Sequence, residues 1–102
     1  MLHGEAVALG MILAFRLSSE LGLCPAADTE RVAAHLAACD LPTKLADVGL
    51  SKRGAQLTRR IGRDKKNSSG RTALVLVRGI GRAFLEPSVD ARHLSAFLDR
   101  AP

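Results

Sequence analysis

The chain has 102 residues, and this length allows one domain at most. Hydrophobic residues make up 47% of it and charged residues 25%, which is typical of a folded globular chain and argues against wholesale disorder. The length also excludes a complete two-domain enzyme that carries its own cofactor-binding fold.

The charge is unevenly distributed along the chain. The net charge is +5, yet the segment from residue 44 to residue 71 holds nine basic and two acidic residues. That segment alone sums to +7, so the rest of the chain sums to −2. Such a segment attracts phosphate, on a nucleic acid or on a small substrate, or it forms a solvated helix face. The sequence has no Trp or Tyr and only three Phe, so a platform for base stacking is not expected.

The cysteines and the apolar N-terminal stretch indicate the cellular compartment of the protein. Cys24 and Cys39 lie in or beside apolar helical sequence without CxxC spacing, which predicts buried free thiols and fits a reducing cytoplasm. Residues 2–23 are rich in apolar side chains, but four ionisable residues interrupt them and no basic region precedes them. We therefore expect a cytoplasmic protein with neither a targeting segment nor a membrane partner.

Residues 4–21 predict one long helix that is apolar nearly all round, so we expect it to be buried on most sides. Gly4 and Gly10 are poor helix formers, and they make sense where another backbone or a ligand comes close. Gly22 follows this helix as a stop signal.

Two further helices are predicted before the basic segment ends. Asp28 is a good N-cap for a helix over residues 28–39, and Leu41-Pro42-Thr43 breaks that helix because proline disfavours helix in the residue before it. Ser51 is a candidate cap for a third, weaker helix that runs to about Lys65.

The last third of the chain predicts a hairpin and a final helix. Residues 72–77 are rich in β-formers, a glycine-containing turn follows at 79–81, and residues 83–85 predict a short return strand. Pro87 and Ser88 then predict the start of a helix over residues 88–99. The expected fold is mainly α, with one small β-hairpin.

His3 stands at the mouth of the first helix. An imidazole there binds a divalent metal if its second ring nitrogen is held by a hydrogen bond. On spacing alone, a capping or hydrogen-bonded histidine is the commoner interpretation, because a zinc enzyme site needs three protein ligands. His35 and His93 are far from His3 in the sequence and are predicted to lie on helix surfaces.

Several segments nevertheless resemble one enzyme family. Residues 1–11 resemble the HGEAVAxGM segment of 3-dehydroquinate synthase, and Asp64-Lys65-Lys66 resembles its DKK motif. Other pieces line up in the same order, and the resemblance covers essentially the whole chain: Leu21–Cys24, Leu41–Thr43, Leu74–Leu76 and Gly79–Gly81. The HGEAVA and DKK pieces are specific in combination.

The resemblance implies a fold in two parts. The family has an N-terminal Rossmann-like domain that binds NAD and a mostly helical C-terminal domain, with the active site between them. Residues 1–102 would form part of the helical, metal- and substrate-binding domain of the dehydroquinate synthase-like fold, and the NAD-binding domain would be absent from the chain.

The resemblance also implies an activity. The intact enzyme is a lyase that converts 3-deoxy-D-arabino-heptulosonate 7-phosphate into 3-dehydroquinate and phosphate in the shikimate pathway, on the route to chorismate and the aromatic amino acids. It uses NAD and a divalent metal, zinc or cobalt, and is expected to be a cytoplasmic homodimer. The isolated 102-residue chain is expected to be inactive.

The family's functional residues carry over to three positions. His3 matches one of three metal ligands, and the other two belong to segments that this chain lacks. Lys65 or Lys66 matches the DKK lysine that contacts the anionic substrate; Lys65 is favoured, but the sequence does not separate the two. No catalytic or NAD-binding residue is assigned, since the glycine-rich nucleotide loop is absent.

Two alternatives remain open. A sister sugar-phosphate cyclase would share these motifs and act on a related sugar phosphate. A small basic nucleic-acid-binding module would use the charged segment at residues 44–71, although no zinc-finger or RNP motif accompanies it.

Overall fold

The computed structural model describes residues 3–63 and 71–101. Within those ranges, the predicted mainly α fold with one small hairpin is confirmed. The elements, in chain order, are α1 (His3–Glu20), α2 (Ala26–Ala38), a short 3₁₀ helix (Leu45–Val48), α3 (Gly54–Arg63), β1 (Arg71–Val77), β2 (Ala83–Asp90) and α4 (Ala91–Arg100). Helix α1 packs on α2 and on β1, whereas α3 packs mainly on α4.

Helix α1 is the predicted first helix, and one face of it lies in the core. Ile12 and Leu17 are almost completely buried there, together with Leu45 of the 3₁₀ helix and Leu76 of β1. Another part of the helix surface is open, because Val7 and Met11 are each 46% exposed. The described part of the chain therefore covers α1 less fully than its apolar composition predicts.

Helix α2 begins earlier than its sequence predicts. Pro25 is the N-cap, and the helix starts at Ala26, so the assignment of Asp28 as the cap is wrong. Proline suits a helix start because its missing N–H has no intrahelical partner there in any case. The Asp28 carboxylate instead accepts a hydrogen bond from the backbone N–H of Ile80 at 3.3 Å. It thus ties α2 to the hairpin turn.

The hairpin is longer than predicted. Strand β2 runs to Asp90, so the prediction that Pro87-Ser88 starts a helix is wrong. Thr72 pairs with Val89 and Leu74 with Glu86, so β2 carries one extra residue at this point. Pro87 lies in that irregularity, where a residue without an N–H is tolerated. Helix α4 begins after Asp90, whose side chain accepts from the backbone N–H of Arg92 at 2.8 Å.

A buried serine joins α1 to the hairpin. The Ser18 hydroxyl donates to the carbonyl of Ala14 at 2.7 Å and accepts from the backbone N–H of Val77 at 2.9 Å. Ser18 is fully buried, and this contact gives the end of β1 the hydrogen-bond partner that a buried N–H requires.

The two cysteines differ in exposure. Both are free thiols; Cys24 is buried as predicted, but Cys39 is exposed, so its predicted burial is wrong. Cys39 is the C-cap of α2 and lies where the helix meets the surface. No helix in the described ranges is long and apolar enough to cross a membrane.

Candidate functional site

His3 occupies the first turn of α1 and is exposed. A Cβ placed on the neighbouring Gly4 would meet no heavy atom within 4 Å, so the surface at Gly4 is open. The predicted close approach at Gly4 and Gly10 is not made by any described residue. The described residues therefore leave His3 exposed and the surface at Gly4 uncovered.

The described residues do not form a complete metal site by themselves. No group of three His, Cys, Asp or Glu side chains converges within residues 3–63 and 71–101. His35 and His93 are exposed on α2 and α4, as predicted. A catalytic zinc site normally has three protein ligands, so a metal at His3 would need further ligands from outside the described ranges.

Arg16 links α1 to the Leu41-Pro42-Thr43 break. Its guanidinium Nη2 donates to the carbonyl of Thr43 at 3.2 Å, and its Nε is buried without a partner among the described residues. Desolvation by partial burial lowers the pKa of Arg16 below its ordinary value. Arginine nevertheless stays charged at any physiological pH. This contact holds the segment after α2 against the first helix.

Helix α3 is attached to α4 at its start. The Asp99 carboxylate Oδ1 accepts from the backbone N–H of Gly54 at 2.7 Å. Gly54 is buried, and a Cβ at this position would lie 2.1 Å from the carbonyl oxygen of Ser95. Only glycine therefore fits this approach of the two helices.

Lys65 and Lys66 lie outside the described residues. They follow α3 in the sequence, since α3 ends at Arg63. The choice between the two as the substrate lysine stays a prediction.

An apolar groove runs between the open side of α1 and the hairpin. It is lined by Gly10, Met11, Ala14, Val75 and Ala83. Val75 is 59% exposed, and its cross-strand partner Leu85 is 63% exposed. Exposed apolar surface of this kind is typical of faces that another segment or molecule covers.

Two of these contacts could not have been found from sequence patterns. Asp99 and Gly54 are 45 residues apart, and Arg16 and Thr43 are 27 apart. Neither pair forms a local motif. The glycine at the start of α3 was the one available signal, because glycine in a helix often marks a close approach.

The described residues form a mainly helical domain with an exposed histidine in the first turn of α1. An exposed imidazole is a residue type that metal-dependent enzymes use as a ligand. The family model described as 3-dehydroquinate synthase C-terminal matches residues 1–67. The chain therefore belongs to the 3-dehydroquinate synthase C-terminal family.

Relatives agree with this assignment. The chain is 50% identical over 97 residues to the 3-dehydroquinate synthase of Caulobacter vibrioides, a match that covers 94% of this chain and 26% of the relative. It is 47% identical over 99 residues to that of Paracoccus denitrificans, covering 96% and 27%. With the enzyme of Xylella fastidiosa (strain M23), it is 54% identical over 88 residues, covering 86% and 23%. The chain thus spans about a quarter of the length of these relatives.

Proposed function

We propose that this chain forms part of the helical domain of a 3-dehydroquinate synthase, a lyase that converts 3-deoxy-D-arabino-heptulosonate 7-phosphate into 3-dehydroquinate and phosphate. The observation that carries this proposal is the match of residues 1–67 to the family model. That range contains His3, Lys65 and Lys66. The 50% identity to the Caulobacter enzyme extends the similarity over 94% of the chain.

We assign His3 as one ligand of a divalent metal, zinc or cobalt. Its exposure in the first turn of α1 and the open surface at Gly4 support this role. A metal bound there would act as a Lewis acid that polarises a substrate hydroxyl. The remaining ligands and the NAD site would come from other parts of the enzyme, with NAD held by a Rossmann-like domain.

We assign substrate binding to Lys65 or Lys66. A lysine ammonium is a compact charge that suits the phosphate or carboxylate of the sugar phosphate. The local charge of +7 between residues 44 and 71 supports this, because it raises the concentration of an anion near the lysines.

The proposal extends to location and assembly. Two free cysteines suit a reducing cytoplasm. The homodimer implied by the family resemblance is supported by the exposed apolar side chains of Met11, Val75 and Leu85, and sedimentation of the intact enzyme tests it.

The decisive experiment is a chimera in which this chain replaces the aligned segment of the Caulobacter enzyme. We expect the chimera, supplied with NAD and zinc, to release phosphate from the heptulosonate phosphate. The parent enzyme is the positive control, and the 102-residue chain alone is expected to be inactive. A folded chimera without turnover would contradict the proposal, and turnover of only a different sugar phosphate would favour the sister cyclase.

A further inference from the structure

The end of helix α2 brings a thiol and an imidazole together. Cys39 Sγ lies 3.9 Å from His35 Nε2. The two residues are four apart in the sequence, and residues at this spacing are neighbours on one side of a helix. Both side chains are exposed, so an ion in solution reaches them.

The distance between the sulfur and the nitrogen suits a shared metal ion. In zinc sites the Zn–S bond is about 2.3 Å and the Zn–N bond about 2.0–2.1 Å. With those bond lengths, atoms that are 3.9 Å apart both bind one ion at an S–Zn–N angle of about 125°. A closer approach of about 0.3 Å gives the tetrahedral angle, and two exposed side chains have the freedom to make it.

The chemistry of the pair and its place in the helix also favour a cation. Thiolate and imidazole are both ligands that suit zinc. The pair lies at the C-terminal end of α2, where the helix dipole carries partial negative charge. Asp40 follows Cys39 and is exposed, which adds a carboxylate to this end of the helix.

Within residues 3–63 and 71–101, no third His, Cys, Asp or Glu converges on the pair. The protein therefore supplies two ligands here, and water fills the remaining positions of the ion. The spacing is that of the two histidines of an HExxH helix, which bind one zinc ion from residues four apart.

We propose that His35 and Cys39 form a two-ligand surface site for zinc. The thiolate is the ligand, so the bond from Cys39 Sγ to zinc forms as the thiol proton leaves to solvent, and no electron is transferred. His35 binds through Nε2 in its neutral form, with its proton on Nδ1. This inference does not rest on the proposed function, because it uses only contacts within α2 and its cap.

The first measurement titrates the 102-residue chain with Co²⁺, which stands in for zinc and gives a charge-transfer band when a thiolate binds it. All variants carry His3→Ala, so that the other proposed metal ligand contributes nothing. The band is expected in this background, and Cys39→Ser is expected to abolish it. Cys24→Ala is the matched control and should keep the band, because Cys24 is buried. A parent without the band, or a band that survives Cys39→Ser, overturns the proposal.

The second measurement titrates the same background with Zn²⁺ in a calorimeter. Loss of a partner that only orients a metal ligand lowers affinity by about 10–100-fold, so His35→Gln, which removes a ligand itself, is expected to weaken binding by about tenfold or more. His93→Gln is the matched control, since His93 is exposed on α4, and it should leave the affinity unchanged. Equal affinity in His35→Gln and its parent overturns the pairing of the two ligands.

A further variant separates a metal site from a merely reactive thiol. Cys39→His keeps two ligands at the same spacing, so it is expected to bind Zn²⁺ within about tenfold of the parent but without the cobalt–thiolate band. Loss of zinc binding in Cys39→His would overturn chelation by this helix end. All the substituted site positions are exposed, so the variants are expected to fold like the parent, which circular dichroism checks.

Discussion

The starts of helices α1 and α3 differ in how closely the described residues surround them. His3 lies in an exposed first turn, beside a glycine whose surroundings are open. The start of α3, by contrast, is buried against α4 and tied to it by Asp99. The difference shows that the described residues leave the start of α1 open and close the start of α3.

The largest effect is expected at His3, in the open first turn of α1. In the chimera, His3→Ala should lower zinc content and reduce turnover by about a hundredfold or more, because one of the few metal ligands is removed. His93→Ala, which removes an exposed histidine from α4, is the matched control and should change neither. Metal analysis and phosphate release measure both, and an unchanged zinc content in His3→Ala would count against the ligand assignment.

The close packing at the start of α3 is tested by adding a side chain at Gly54. Gly54→Ala places a methyl group about where the Ser95 carbonyl lies, and overpacking of this kind typically costs about 1–3 kcal/mol of the free energy of unfolding. Gly10→Ala is the control, because its surroundings are open and alanine favours helix by up to about 1 kcal/mol. Urea unfolding of the 102-residue chain compares the two, and equal stability of both variants would contradict the close approach.

The Gly10→Ala variant also tests whether the open face of α1 is covered in the intact enzyme. If other segments cover the open face of α1 in the chimera, Gly10→Ala should stabilise the 102-residue chain but destabilise the chimera. Stabilisation in both settings would mean that nothing approaches Gly10 closely.

The next largest effect on stability is expected at Ser18, which joins α1 to the hairpin. Ser18→Ala leaves the buried N–H of Val77 without its acceptor, which costs about 1–3 kcal/mol. Ser51→Ala, at an exposed serine, should stay within about 0.5 kcal/mol of the parent. Both values come from the midpoint of thermal or urea unfolding. A Ser18→Ala variant as stable as the Ser51→Ala variant would mean that the hydroxyl does not contribute.

The smallest effect is expected at the ion pair between Arg100 and Glu20, which joins the end of α4 to the end of α1. The Arg100 side chain is 59% exposed, and exposed pairs contribute about 0–1 kcal/mol. Glu20→Gln should therefore lower stability by less than about 1 kcal/mol, and the difference should shrink at high salt. A larger loss that persists in salt would show that the pair is not a simple surface contact.

The local elements were largely predictable, and their boundaries were not. The apolar runs and the β-rich segment at residues 72–77 predicted the helices and the hairpin. Aspartate is a good N-cap residue, which is why Asp28 is predicted to cap α2. Its carboxylate instead accepts a hydrogen bond from the backbone N–H of Ile80 in the hairpin turn. Pro87 was predicted to start a helix, but a bulged position in β2 accommodates it. In each case a contact distant in the sequence outweighed a local preference.

The sequence by itself determined the elements, the family and the residue types of the candidate site, because periodicity, turn chemistry and the HGEAVA and DKK motifs are local. Only the tertiary structure decided which surfaces are open and which are closed. The exposure of His3 and Cys39, the burial of Ser18 and the capping of α3 by Asp99 all depend on which segments meet. The physical reason is that burial and long-range hydrogen bonds are properties of pairs of segments, and neither segment alone carries the information.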